Sequence, residues 1–281
     1  MLDKIKHTNS NNETLDFTSL GIFANYSDLR DFEWSVKTNN NRITGFYKGV
    51  VTKTIPFVFL VDQQKANEIK NQFYEHFEID ILKKEKGYFE INGYKYYCYA
   101  IKSTKSKYLI DKRLLYLSVE ITTDDSYWIK ETTYTADFTS SSSRTVTKYP
   151  FTYPFTYSVS KTVNVVNDSF TDTDMIMRIY GRCTNPIINI SDNTYQLYVT
   201  LNAEEYAEID TFKKTITKYS SNGVRSNIFN SRNKNYDTFR KIPQGSFDIT
   251  TVGVEKVDIV LIERRIASCC IYAELVLFAL Y

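Results

Sequence analysis

Hydrophobic residues in the first half of the chain recur mostly at every second position, the period of a β-strand with one buried face. Phe32, Trp34 and Val36 alternate with charged and polar neighbours, and four apolar residues alternate in the same way over 113–123. Over 42–61 two glycines and a proline interrupt the pattern, which predicts a bent or divided strand.

One segment shows the period of a helix instead of a strand. Its apolar residues are three and four positions apart and share one face: Ala66, Ile69, Phe73 and Phe77. Asp62 precedes them and can cap the first turn, so we predict a helix over about 62–77. Because a single apolar stripe cannot stay exposed, we expect this helix to lie against a sheet.

Turn signals separate the predicted strands along the whole chain. Asn92-Gly93 predicts a tight hairpin, since a type I′ turn needs positive φ at both central positions. In the second half, Thr211-Phe212-Lys213, Asn222-Gly223 and Pro243-Gln-Gly245 mark further turns between short alternating segments. Many short strands with regular turns indicate a β-sandwich or jelly roll.

A change of composition separates the two halves of the chain. Residues 139–143 are Thr-Ser-Ser-Ser-Ser, and 149–157 repeat Tyr-Pro-Phe-Thr. The residue before each proline is pushed to an extended conformation, so the repeat is interpreted as a stiff strut; a PxxP-type ligand is the alternative. The predicted division is therefore a first domain over 1–138, a linker over 139–157 and a second domain over 158–281.

Composition agrees with a mainly β globular protein. Of the 281 residues 42% are hydrophobic and 15% aromatic, which favours strands. The net charge of +2 excludes a strongly basic nucleic-acid binder. A tyrosine-rich stretch over 94–99 is assigned to sheet packing, with a subunit interface and base stacking as alternatives; Tyr94 and Tyr96 should share one face, opposite Tyr97 and Tyr99.

The termini carry no predicted targeting signal. The first 14 residues are polar, lack the apolar core of a secretory signal and are predicted to be loose. The apolar end over 266–281 is shorter than a typical membrane span and contains Glu274, so no membrane span is predicted and cytosolic synthesis is expected. The cysteines have no CxxC spacing and are predicted to be reduced: Cys98, Cys183, Cys269 and Cys270.

Candidate chemistry is sparse. The two histidines, His7 and His76, are the only side chains of the commonest general base, and each is assigned a surface or packing role. Asp168, Asp172 and Asp174 cluster as calcium-loop aspartates can, although a solvated turn is the preferred interpretation because an EF-hand's glycine and final glutamate are missing. We therefore assign no catalytic, cofactor-binding or metal-binding residue, expect no cofactor and predict that the chain is not an enzyme.

Several short motifs resemble the distal tail proteins of long-tailed bacteriophages. A strand leads into Asp125-Ser126-Tyr127-Trp128, where the family often has Asp-Pro-Tyr-Trp, and the Tyr-Pro linker follows. The second domain carries the remaining matches: Asn185-Pro186, Ile209-Asp210-Thr211, Asn222-Gly223, Asn227, Phe239, Ile242-Pro243 and Gly245. The family's Arg-Asp-Gly-like turn is not recognisable near 39–45.

This resemblance implies both a fold and a function. It implies a β-barrel or sandwich domain with one α-helix, followed by a galectin-like β-sandwich. The function implied is that of a structural virion protein in the viral tail, made in the bacterial host cytoplasm. Such a protein forms a homo-hexameric hub ring that joins the tail-tube protein to the tail tip, and DNA passes through its channel without sequence recognition. The implied partners also include a tail-associated lysin or tail fibre and receptor-binding proteins.

Two rival functions stay open on the sequence. A carbohydrate-binding β-sandwich used for adhesion would stack sugars on exposed aromatic residues, of which the chain has many. A tail-tube subunit would share the first domain, but such proteins usually lack a second domain after a Tyr-Pro linker.

Overall fold

The computed structural model describes these residues: 5–24, 29, 31–60, 63–108, 114–138 and 163–267. The chain divides into two compact units, Met1–Lys130 with Arg264–Tyr281 (unit 1) and Glu131–Glu263 (unit 2). The predicted linker over 139–157 lies outside the described residues, as do Cys269 and Cys270. The domain boundaries drawn from the sequence therefore stay a prediction.

The described residues of unit 1 combine short and long antiparallel strands with one α-helix. Its elements are β1 (Lys6–Thr8), β2 (Thr14–Asp16), β3 (Ile22–Ala24), β4 (Ser35–Asn39), β5 (Arg42–Tyr47), β6 (Val51–Leu60), α1 (Gln63–Lys83), β7 (Gly87–Ile91), β8 (Tyr94–Tyr108), β9 (Leu114–Thr123) and the first three residues of β10 (Trp128–Asp137), whose other residues belong to unit 2. Neighbouring strands follow the order β3-β6-β9-β8-β7-β1-β2, and β4 pairs with β5.

Helix α1 confirms the predicted apolar stripe. Ile69, Phe73 and Phe77 are buried, and the Phe73 ring contacts the rings of Phe57 and Phe59 on β6 at centroid distances of 5.6 and 6.1 Å. The helix continues to Lys83, beyond the predicted end near Phe77. The predicted cap, Asp62, lies outside the described residues.

The tight hairpin at Asn92-Gly93 is also confirmed, with φ of 53° and 77° between β7 and β8. On β8, Tyr94 and Tyr96 are buried, while Tyr97 and Tyr99 lie on the other, partly exposed face. The prediction of a loose start over the first 14 residues is wrong for residues 6–14. There β1 pairs with both β2 and β7, and this pairing orders a segment that is polar in sequence.

Unit 2 is built from short strands throughout its described part. They are β11 (Val163–Asn167), β12 (Asp174–Tyr180), β13 (Cys183–Thr184), β14 (Ile187–Ile190), β15 (Asn193–Gln196), β16 (Thr200–Leu201), β17 (Tyr206–Asp210), β18 (Thr215–Tyr219), β19 (Arg225–Asn227), β20 (Gly245–Val252) and β21 (Lys256–Arg265). A short 3₁₀ helix spans Phe229–Ser231.

The strands of unit 2 form two packed antiparallel sheets. One has the order β19-β18-β17-β12-β21, the other β11-β20-β14-β15, and β13 pairs with β16. Met177 and Ile209 from the first sheet share a buried cluster with Val165, Ile188 and Ile249 from the second. The alternation of buried and partly exposed residues on strands such as β12, β14 and β15 is what a sandwich requires. The predicted mainly β, sandwich-type fold is therefore confirmed.

Candidate assembly surface

Strands β4 and β5 form a hairpin that pairs with no other described strand. Its two-residue turn is Asn40-Asn41, with φ of 48° and 59°. Asparagine tolerates positive φ better than other non-glycine residues, and positive φ at both central positions is the requirement of a type I′ turn. We call residues 34–47 the arm.

A β-bulge decides which side chains of the arm share a face. Lys37 pairs with Gly45, but the next residue, Thr38, pairs with Ile43, so Thr44 is an extra residue on β5. Without this bulge Ile43 and Phe46, three positions apart, would point to opposite sides of the hairpin. The bulge brings both to the same side.

The result is one apolar face on an exposed hairpin. We call it the arm face; its residues and their exposed fractions are Trp34 37%, Val36 45%, Ile43 61% and Phe46 63%. Val36 lies directly opposite Phe46, whose ring meets the Trp34 ring edge to face with centroids 6.5 Å apart. An exposed patch of large apolar side chains is typical of an interaction surface.

Lys48, at the base of the arm, interacts with the turn before β10. Its ammonium group donates to the carbonyl oxygen of Ser126 at 2.8 Å and lies 4.3 Å from the centre of the Tyr127 ring. It also lies 5.1 Å from the Trp34 ring. Burial lowers the pKa of Lys48, and the nearby carboxylate of Asp125 opposes that shift.

The Asp-Ser-Tyr-Trp motif thus contacts the base of the arm through Ser126 and Tyr127. Asp125 accepts a hydrogen bond from Arg264, whose guanidinium group lies 4.9 Å from the Tyr127 ring. Trp128 is fully buried and donates through Nε1 to the carbonyl oxygen of Leu29 at 3.2 Å. The hydroxyl of Ser126, at the position where the family often has proline, is buried with no hydrogen-bond partner in the described structure.

Unit 2 carries a second ordered surface, a row of tyrosines across its larger sheet. The Tyr206 and Tyr219 rings are stacked with centroids 4.5 Å apart and planes 7° apart, and Tyr180 lies 5.7 Å from Tyr206. A cation lies over each end of the row, Lys256 at 4.7 Å from Tyr180 and Arg225 at 5.5 Å from Tyr219. We call this row the tyrosine ladder.

Two hydroxyls of the ladder, those of Tyr180 and Tyr219, donate to carboxylates. The Tyr180 hydroxyl donates to Asp258 at 2.7 Å; burial and this carboxylate raise the pKa of Tyr180 to about 12. The ladder joins its rings to one another and to two cations, and each of its tyrosines is partly buried. It is best explained as cross-strand stabilisation of the sheet.

The aspartate cluster considered for calcium is not assembled as a site. Asp168 and Asp172 are exposed, whereas Asp174 is buried in β12 and pairs with Lys241 at 2.9 Å. Within the described ranges, no three His, Cys, Asp or Glu side chains are grouped closely enough to hold a metal ion.

The other candidate residues are buried inside the two units. His7 and His76, distant in sequence, lie within hydrogen-bonding distance of each other in unit 1. Cys98 and Cys183 are buried free thiols, and burial raises the pKa of both.

The sequence contains signals for the arm that were not recognised. The run Asn39-Asn40-Asn41 marks its turn, and Gly45 marks the bulge. The alternation of Phe32, Trp34 and Val36 predicted a strand there but did not show that its apolar side is exposed.

No helix in the part of the chain that the structure describes is long and apolar enough to cross a membrane. No family model matches the chain, and no curated protein matches it in sequence.

Comparison with solved structures places the fold among proteins of phage tail hubs and baseplates. The Dit protein of phage SPP1, a paradigm of the hub adsorption apparatus in phages that infect Gram-positive bacteria, matches with a TM-score of 0.56 and 10% identity, covering 93% of this chain and 99% of that one. A chain of the phage P2 baseplate in its activated conformation with Ca matches with a TM-score of 0.57 and 10% identity, covering 95% and 100%.

The same baseplate with Sr gives a TM-score of 0.56 and 9% identity, covering 95% of this chain and 100% of that one. The resemblance to distal tail proteins is thereby confirmed at the level of the fold.

Proposed function

We propose that this chain is a structural subunit of a phage tail, a distal tail or baseplate hub protein without catalytic activity. Six copies would form a ring that connects the tail tube to the tail tip and to receptor-binding proteins, with a channel for DNA. The observation that carries the proposal is the shared fold, which extends over 93% of this chain and 99% of the SPP1 hub protein.

The arm supports self-assembly. It presents large apolar side chains to solvent, and a neighbouring copy is the partner that a ring would bring to every such face. A contact between two different surfaces of one protein, repeated by rotation, closes into a ring without unpaired ends. Covering the outer edges of the arm also removes edges on which other chains could pair.

Light scattering after size exclusion tests the proposal on the full-length protein. A hexamer would have six times the chain mass of 32.8 kDa. Negative-stain images of the same fraction should show six-fold rings with projecting lobes. A strict monomer at high micromolar concentration, with no rings in the images, would contradict the proposal.

A further inference from the structure

The chain has two histidines, and the fold brings them into direct contact inside unit 1. His7 lies on β1 and His76 on α1, and His76 Nε2 is 2.9 Å from His7 Nδ1. Both residues are buried, with exposed fractions of 1% and 6%. This contact ties the β1–β2 hairpin to the helix.

Asn9 fixes the direction of the hydrogen bonds. Its side-chain oxygen accepts the backbone N–H groups of Asn11 and Glu13, both at 3.0 Å, so its amide nitrogen must face the other way. That nitrogen donates to Glu13 Oε2 at 2.9 Å and faces His76 Nδ1 at 3.3 Å. His76 Nδ1 is therefore an acceptor, and the ring carries its proton on Nε2.

The proton positions can be followed from His76 through His7 to Asp80. The Nε2–H of His76 donates to His7 Nδ1, which leaves the proton of His7 on its own Nε2. That atom faces Asp80 Oδ2 at 3.9 Å, while Asp80 Oδ1 accepts the backbone N–H of Ser10 at 2.7 Å. We call the chain Asn9–His76–His7–Asp80 the histidine latch.

The two imidazole rings of the latch have no vacant nitrogen for another proton, although Asp80 Oδ2 and His7 Nε2 have no hydrogen-bond partner in the described structure. An added proton on His76 would go to Nδ1, against the amide donor of Asn9; one on His7 would go to Nδ1, against the Nε2–H of His76. Either event breaks a buried hydrogen bond and adds a buried charge. The rings of Phe77 and Phe89, 4.4 and 4.6 Å from His7, provide no alternative acceptor.

The pKa values of the latch residues are shifted by burial and by nearby charged groups. Burial lowers the pKa of His7 and of His76, and the neighbouring His76 lowers the pKa of His7 further. Asp80 on α1 and Glu13 in the β1–β2 turn oppose the shift of His76. Burial raises the pKa of Asp80 itself.

Across the sheet, the buried thiol of Cys98 on β8 interacts with Asp80 and with Lys86, which precedes β7. Its pKa is raised, so this thiol stays neutral in the acid range in which the latch is expected to respond.

We propose that protonation of the histidine latch releases the β1–β2 hairpin, Lys6–Asp16, from α1. His7 also pairs with Phe89 and Lys6 with Glu90, so the outer edge of β7 is uncovered only where this strand pairing opens together with the latch. The N-terminal hairpin is thus a pH-sensitive element of unit 1.

The sign of the effect follows from the direction of the shifts. A histidine whose folded-state pKa lies below 6.5 stabilises the closed form fully above pH 6.5 and loses that contribution as the pH falls. Each such ring favours opening by up to about tenfold per pH unit. Asp80, whose pKa is raised by burial, acts in the opposite direction, while the histidine contribution begins to be lost just below the ordinary histidine pKa of 6.5.

Hydrogen exchange of the full-length protein at pH 7.5 and 5.5 provides the test. After correction for the intrinsic exchange rate at each pH, protection of amides 6–16 should fall by about tenfold or more at the lower pH. Strands β14 and β15 in unit 2, which contain no histidine, serve as the internal reference and should keep their protection. Equal protection of the hairpin at both pH values would overturn the proposal.

Nuclear magnetic resonance of the imidazole groups assigns the cause, since the chain gives only two histidine signals. Both should titrate below 6.5, at the pH at which the hairpin opens. In His76→Gln, which retains a donor and an acceptor but does not titrate, the pH dependence should shrink. Opening at a pH where neither imidazole titrates, or an unchanged pH dependence in His76→Gln, would overturn the proposal.

Discussion

The arm face predicts a substitution that weakens assembly while leaving the folded subunit intact. Phe46 is 63% exposed in the single chain. With a phenylalanine surface of roughly 200 Å², about 130 Å² remains to be covered by a neighbour. At about 25 cal/mol per Å², Phe46→Ser should weaken each contact by about 3 kcal/mol, on the order of 100-fold in affinity.

The adjacent residue provides a matched control. Tyr47 is 54% exposed on the same strand, but it pairs with Ser35 and points to the opposite side of the hairpin. Tyr47→Ser removes a similar aromatic area from the same arm. If the arm face makes the contact, this variant should assemble like the unmodified protein.

Light scattering over a dilution series measures both variants, and urea unfolding checks the subunit. We expect Phe46→Ser to dissociate at a concentration about two orders of magnitude higher than Tyr47→Ser. The unfolding free energies of the two variants should differ by no more than about 1.5 kcal/mol, because Phe46 makes one aromatic pair in the subunit and such a pair contributes no more than that. Equal assembly of the two variants would refute the assignment of the arm face. So would the loss of assembly in Tyr47→Ser alone.

Three further predictions concern stability and are measured by urea unfolding. Gly87→Ala should destabilise unit 1 by about 1–3 kcal/mol, because the added Cβ would lie 2.3 Å from a carboxylate oxygen of the histidine latch. Gly49→Ala, with no atom within 4 Å, is the control and should change little. Ser126→Ala removes a buried hydroxyl without a partner, so it should leave stability unchanged or raise it by about 1 kcal/mol. A double-mutant cycle at Tyr206 and Tyr219 should give a coupling of about 0.5–1.5 kcal/mol, and a value near zero would contradict the ladder's stabilising role.

The end of α1 shows where pattern-based prediction stopped and why. The apolar stripe reaches Phe77, and the next position on the same face is Asp80. A carboxylate there indicates the end of a buried face, yet Asp80 is fully buried and the helix continues to Lys83. The exception depends on partners distant in sequence, Ser10 and His7, which no local pattern contains.

The prediction of a loose N-terminus was wrong for the same reason, since the segment is ordered by partners distant in sequence. Strands β1 and β2 have three residues each, too short for a period to be recognised. These strands are ordered because β2 pairs with β1, and β1 pairs with β7 and contributes His7 to the histidine latch. Long strands such as β9 were predictable because Leu117, Val119 and Ile121 all face the core.

The arm was the least predictable part of the candidate site, since its apolar alternation suggests a buried strand. Burial follows from alternation only when a second layer covers that side, and no other described strand pairs with the arm. The bulge at Thr44 then adds Ile43 to the exposed side, against the strict period of two.

The arm face and the net charge together favour association over a free subunit. A chain with a net charge of +2 has little long-range repulsion to hold copies apart. A hairpin with several half-exposed large apolar residues would then promote irregular association unless a specific partner covers it. A closed ring covers every arm with an equivalent surface, so the feature that would make an isolated subunit prone to aggregation is what a ring needs for its contacts.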